Sequence, residues 1–178
     1  MIVAHSGNVL RKSGVAMRLF AITEAGDFVE YQEKAFREEH REETIESWLA
    51  SNPDCISEQD TLLIIGRQVS TNLHTAIDLL AVDEEGNTAV IELKRDRTPR
   101  ETLAQALEYA SFVEQLDYQQ LDELFQEYTG EEGISLAEAH RTHFGLTEDE
   151  AASFNKDQRI IIVGSAISPA VRQTCAFL

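Results

Sequence analysis

The stretch "AIDLLAVDEEGNTAVIELKRD", residues 76–96, decides the fold. Its apolar runs flank "DEEGN", so it reads as two antiparallel strands joined by a tight turn. Glu84 and Glu85 fit a type I turn and Gly86 the left-handed position after it, a three-residue loop that pairs Asp83 with Asn87. Counting outward sets Asp78 directly opposite Glu92, on one face, with Cβ atoms roughly 4.5–5.5 Å apart. Lys94 follows on that face, opposite the small Ala76. Strand interiors disfavour acids, and a buried carboxylate is costly unless something compensates it. The same face carries Leu80, Val82 and Val90, so it is expected to be covered rather than wet.

Two opposed carboxylates repel when both are ionised, and a divalent cation between them reverses that interaction. Hard oxygen ligands on rigid strands suit Mg²⁺ or Mn²⁺, which take few protein carboxylates and keep several waters. The backbone carbonyl of Leu93 would add a third ligand, and Lys94 would position an attacking water or stabilise charge on a phosphate. The alternative is a Glu92–Lys94 ion pair on a solvated sheet, with Asp78 as one more surface acid.

Working outward, "MRLFAI" and "DFVEYQ" around "TEAGD" predict a small β-hairpin. "FREEHREETIESWLASNP" predicts an amphipathic helix with Ile45, Trp48 and Leu49 on one face, ending at Asn52–Pro53. "TLLIIGRQV" predicts a strand covered on both faces. In "TPRETLAQALEYASFVEQL", Thr98 reads as N-cap, Pro99 as the first helical residue and Glu101 as the end of a capping box. The core face of that helix is expected at Leu103, Ala106, Leu107, Ala110 and Val113. Residues 118–156 read as two or three short acidic helices, a helical insertion. "QRIIIVGS" is a further buried strand, and "SPAVRQTCAFL" a helix capped by Ser168 with Pro169 behind it.

The resulting α-β-β-β-α-β order implies an α/β domain with a mixed sheet and helices on both faces. Residues 1–16 are expected as a flexible leader, with Met17 a candidate true start, residues 17–35 as the hairpin and 36–178 as the main domain. The ending on "CAFL" points to a chain truncated at its C-terminus, with a further domain beyond residue 178.

An apolar content of 43% excludes general disorder, and no run is long enough for a membrane span. Cys55 and Cys175 stand far apart, as reduced thiols of a cytoplasmic protein do. His140 and His143 have helical metal-pair spacing without further ligands, and the plainer reading is two surface histidines. The net charge of −17 repels nucleic acid unless basic groups gather locally. They do in "KRDRTPR", where Lys94, Arg95, Arg97 and Arg100 follow Glu92, whereas residues 114–150 hold eleven acids and one arginine.

The D-x13-E-x-K pattern across a hairpin, with a helix and strand before it and a helix after it, resembles the PD-(D/E)XK nuclease superfamily and its restriction-endonuclease-like core. "AID" stands where that superfamily often has "PD". The closer resemblance is to the catalytic domain of NucS/EndoMS-type endonucleases, carried by "ESWLASNP", "IIGRQV", the hairpin-helix stretch and "RIIIVG". It implies that Asp78 and Glu92 ligate Mg²⁺ or Mn²⁺, that Lys94 is the catalytic lysine, and that a first-helix acid joins them, Glu46 or in its place Glu43. It also implies that Gln105 and Tyr109 border the site, where the residues alone read as boundary positions. Arg67, Arg95, Arg97 and Arg100 would meet DNA phosphates, or else are simply solvated.

The resemblance implies a metal-dependent endonuclease hydrolysing DNA phosphodiester bonds, with mismatched, branched or single-stranded DNA as candidate substrates, and leaving 5′-phosphate and 3′-hydroxyl ends. NucS-type proteins carry a substantial N-terminal domain where this chain has a short hairpin. A homodimer or the missing C-terminal part would then complete the DNA surface. The competing reading is a catalytically silent binding or regulatory module on a nuclease-like fold, which the acidic surface favours and the Asp78–Glu92–Lys94 set opposes.

Overall fold

Gly86 adopts φ +88°, a left-handed conformation that glycine enters without penalty. Around it the Asp83 N–H donates to the Asn87 carbonyl and the Gly86 N–H to the Asp83 carbonyl, each at 3.0 Å. The predicted three-residue turn is therefore present. Strand pairing follows from it: Leu79–Ile91, Leu80–Val90, Ala81–Ala89 and Val82–Thr88 are opposed, the register counted from the sequence.

The computed structural model describes residues 2–3, 19–22, 27–31, 41–57, 61–131, 133–150 and 152–177. In chain order the elements are β1 (Ile2–Val3), β2 (Leu19–Ile22), β3 (Phe28–Tyr31), α1 (Glu42–Ser51), β4 (Leu63–Ser70), β5 (Ala76–Val82) and β6 (Thr88–Arg97). They continue with α2 (Glu101–Val113), α3 (Tyr118–Thr129), α4 (Leu136–Phe144), β7 (Gln158–Ala166) and α5 (Pro169–Phe177). The main sheet runs β1-β7-β6-β5-β4, and β2-β3 form the small antiparallel hairpin expected near the N-terminus. β4, β5 and β6 are antiparallel neighbours, while β7 joins β6 in parallel. That is the predicted α-β-β-β-α-β core with a mixed sheet.

Apolar side chains bury on both faces of this sheet. On one, Ile65, Leu80, Val82 and Val90 pack with Tyr109 and Val113 of α2, Leu121 and Phe125 of α3, and Leu136. On the other, Ile64, Leu79, Ala81, Ile91 and Leu93 pack with Leu49 and Ala50 of α1. A third cluster joins Leu103 and Ala106 of α2 to Ile160 and Ile162 of β7 and to Val171 and Cys175 of α5.

Several expectations change in the structure. Trp48 is 50% exposed, and the buried residue of α1 is Glu46. Thr98 does not cap α2, which begins at Glu101 behind an already helical Arg100. Its N–H and hydroxyl both donate to the Ala166 carbonyl, at 3.0 and 3.2 Å, and the hydroxyl accepts the Ser168 N–H. Tertiary pairing with the β7–α5 link thus outcompetes the local cap. Ser168 does cap its helix, accepting the Val171 N–H at 3.3 Å.

Leu107 is 43% exposed, while Tyr109, expected off the core face, is buried with Thr102 on a face rotated from the predicted one. Among the described residues, 118–156 supply two helices, and α3 and α4 cover the sheet with Leu121, Phe125 and Leu136. His140 is buried, its Nε2–H donating to the Asp83 carbonyl at 2.8 Å, which ties α4 to the hairpin turn. His143 is exposed. Of the expected leader, Ile2 and Val3 pair with Ile161 and Ile162, and the remainder, with Met17, lies outside the described residues.

The turn is the feature on which the register depends. A Cβ at Gly86 would sit 3.0 Å from the Ala152 Cβ, in a conformation L-residues rarely adopt. Gly86→Ala is expected to cost about 1–2 kcal/mol, which thermal denaturation would read as a fall of roughly 2–6 °C. An unchanged melting temperature would show that the turn relaxes freely and does not hold the strands in register.

Candidate active site

The β5–β6 pairs end at Leu79–Ile91, one position short of Asp78 and Glu92. There the Asp78 side chain takes over from the ladder: its Oδ2 accepts the Leu93 N–H at 2.8 Å. Ile77 and Leu80 belong to the same buried cluster and Leu79 to the opposite one, so side-chain alternation slips by one around Asp78. The carboxylate is therefore held at an opening between two strands. Opposite it in β4 lies Gln68, because Arg67 pairs with Leu79 and Val69 with Ile77.

Helix α1 supplies the next acid. Glu46 is 3% exposed and is held by two consecutive residues of β4: Oε1 pairs with Arg67 Nε, and Oε2 accepts from Gln68 Nε2 at 2.7 Å. The same Nε2 donates to Asp78 Oδ1 at 3.2 Å. Of the two glutamates offered by the sequence, Glu46 is thus the one that faces the site. Glu43 is exposed, and its backbone carbonyl accepts from Arg67 Nη2 at 3.5 Å. One turn before Glu46, Glu42 also joins the group, its Oε2 accepting the Arg95 N–H at 2.9 Å.

Glu92 is 1% exposed, and Lys94 Nζ donates to its Oε1 at 2.5 Å. Oε2 is buried and, among the described residues, has no hydrogen-bond partner. An unpaired buried carboxylate oxygen is expensive. Burial, the Asp78 charge and the Glu42 charge together outweigh the Lys94 hydrogen bond and push the Glu92 carboxyl up to about 7. Asp78 is also raised, by burial first and by Glu46, against the Leu93 N–H, Lys94 and Gln68. Burial pulls Lys94 down, but the Glu92 hydrogen bond and the Glu92, Asp78 and Glu42 charges carry it above the ordinary lysine value. The pair is a protonated lysine against a carboxylate that resists ionisation.

Among the described residues no three His, Cys, Asp or Glu side chains converge as a ready-made metal cage. Mg²⁺ commonly uses one or two carboxylates and completes its shell with water and phosphate. Asp78 and Glu92, with the free Oε2, fit that donor class.

The remaining candidates divide. Gln105 Nε2 donates to the Tyr109 hydroxyl at 2.7 Å, and Tyr109 is buried in the core with Ile65 and Val69. Among the described hydrogen bonds neither reaches Asp78, Glu92 or Lys94. Arg67 is turned to Glu46. Arg95 is half-buried beside Asp96, whereas Arg97, the last residue of β6, and Arg100 after it are exposed. Reasoning from sequence missed Gln68 and Glu42. Helical i,i+4 spacing from Glu46 could have found Glu42, but a glutamine inside a strand carries no such signal.

No protein-family model matches the sequence, and no curated protein matches it. Among solved structures, a repair endonuclease from Pyrococcus abyssi aligns over 78% of this chain and 44% of its own, with 19% identity and a TM-score of 0.46. A structure of an EndoMS–dsDNA2 complex aligns over 85% of this chain and 44% of its own, with 17% identity and a TM-score of 0.44. The chain spans less than half the length of these two neighbours.

The raised carboxyls fix a sign for the effect of pH on stability. The folded chain holds the Glu92 proton more tightly than the unfolded chain, so this contribution is complete below 4.5 and is lost as pH rises through about 7. Glu92→Gln is expected to flatten the fall in melting temperature of metal-free protein between pH 5 and 7. At pH 7 it should melt on the order of 5 °C higher than wild type. Parallel pH profiles for the two proteins would show that Glu92 ionises without strain.

Proposed function

We propose that the chain is a metal-dependent endonuclease that hydrolyses DNA phosphodiester bonds, with Mg²⁺ or Mn²⁺ as its cofactor. The observation that carries this reading is the convergence of Asp78, Glu92 and Lys94 with Glu46 at an opening in the sheet, one buried Glu92 oxygen being unpartnered. A purely structural ion pair has no use for a second and third carboxylate beside it, since each added acid raises the cost of burying the others.

Asp78, Glu92 and the Leu93 carbonyl would hold the cation, which when bound supplies Lewis-acid neutralisation of the phosphate and a more acidic water. Asp78 keeps its plane fixed through the Leu93 N–H. Lys94, protonated and anchored on Glu92, is placed to stabilise negative charge that develops on the phosphate oxygens. Glu46, with oxygens held by Arg67 and Gln68, would orient the attacking water. Arg95, Arg97 and Arg100 would grip the flanking backbone as charge-assisted contacts. Gln105 and Tyr109 would support the site from behind, through the core, rather than touch the substrate.

The test is cleavage of labelled linear, mismatched, branched and single-stranded DNAs with Mg²⁺ and with Mn²⁺. Wild type is expected to cut at least one of them, leaving 5′-phosphate ends. Glu92→Ala and Asp78→Ala should abolish cutting, and Lys94→Ala should slow it by about 100-fold or more. Equal cutting by wild type and Glu92→Ala would move the chemistry elsewhere. No cutting of any substrate would favour the silent binding module, whose acidic surface suits a basic protein partner.

A further inference from the structure

Arg67 and Gln68 are consecutive residues of a β-strand, and both reach the same carboxylate, Glu46. A regular strand cannot do this, because successive side chains point to opposite faces. The backbone provides the means: Gln68 adopts φ +51°, a left-handed conformation in the middle of β4. Such a conformation is unfavourable for a residue with a Cβ and persists only where the surroundings impose it. Just before it, Gly66 makes room for the distortion, since a Cβ there would lie 2.5 Å from Val69 Cγ2. The strand is bent locally, and the bend delivers one carboxamide.

That carboxamide has two N–H groups, and both are used. Nε2 donates to Glu46 Oε2 at 2.7 Å and to Asp78 Oδ1 at 3.2 Å. Carboxylates only accept, so the nitrogen must face them, and the amide orientation is determined by its partners. With the Leu93 N–H on Oδ2, each Asp78 oxygen then has one donor and keeps lone-pair capacity for a further partner. We propose that Gln68 is a positioning residue that bridges Glu46 and Asp78, fixing the orientation of Asp78 toward a divalent cation and its spacing from the water-orienting Glu46. The inference rests on the metal-site reading above.

The bridge and the bend can be separated by substitution. Gln68→Gly accepts the left-handed backbone without strain but removes the amide; Gln68→Glu keeps the length but offers no hydrogens and adds a facing carboxylate. Calorimetric titration with Mn²⁺ should show about 10-fold weaker binding by Gln68→Gly, in a protein that melts within a few degrees of wild type. Metal-free Gln68→Glu should melt several degrees lower, and Mn²⁺ should raise its melting temperature by more than it raises that of wild type. Wild-type Mn²⁺ affinity in Gln68→Gly would overturn the positioning role alone. An unchanged melting temperature in metal-free Gln68→Glu would overturn the bridge itself, whatever the metal does. Failure of wild type to bind Mn²⁺ would overturn the metal-site reading and the positioning role with it.

Discussion

Three carboxylates, from α1, β5 and β6, stand close together beside the sheet, and for Asp78 and Glu92 burial makes the charge costly and neighbouring acids make it costlier. Most of the local architecture answers that constraint. Arg67 and Gln68 hold Glu46, Gln68 and the Leu93 N–H hold Asp78, and Lys94 holds Glu92. Each partner comes from a strand whose register is set elsewhere, by a tight turn at Gly86 and by apolar packing on both faces. The site is therefore an outcome of strand pairing that stops one residue early, so that a side chain finishes what a backbone carbonyl would have done.

How much of this was legible depends on the range of the interaction that decides each feature. The hairpin register could be read because "DEEGN" admits few turns, and a turn propagates its count along both strands. The order of elements could be read from periodicity and from the breaks at Pro53 and Gly86. That Thr98 would not cap α2 could not be read, because the competing partner, Ala166, lies far away in sequence. Nor could the exposure of Trp48 or the burial of Tyr109, since two rotations of one amphipathic helix bury similar apolar area and only the sheet chooses between them.

Within the site the same rule separates Asp78, Glu92 and Lys94 from Gln68. The first three follow from spacing along a hairpin. Gln68 depends on a left-handed residue inside a strand, a conformation that glutamine does not announce and that only the facing acids explain. Glu46 falls between these cases. Its helix was evident, but the choice over Glu43 required knowing which face of α1 meets β4.

A Lys94–Glu92 ion pair and a cation at Glu92 are not exclusive alternatives. Lys94 engages Oε1, and Oε2 is buried without a partner among the described residues. Ion pairing and metal binding would thus use different oxygens of one carboxylate, so a cation could enter without the lysine leaving. A resident ammonium beside the open oxygen also limits the repulsion that Asp78 and Glu42 impose on Glu92. It does not offset the whole cost of the charge: burial first, then Asp78 and Glu42, keep the Glu92 carboxyl raised to about 7 with Lys94 in place. The uncompensated part is what a divalent charge would relieve, and it is the physical reason to expect the protein to be more stable with a cation than without one.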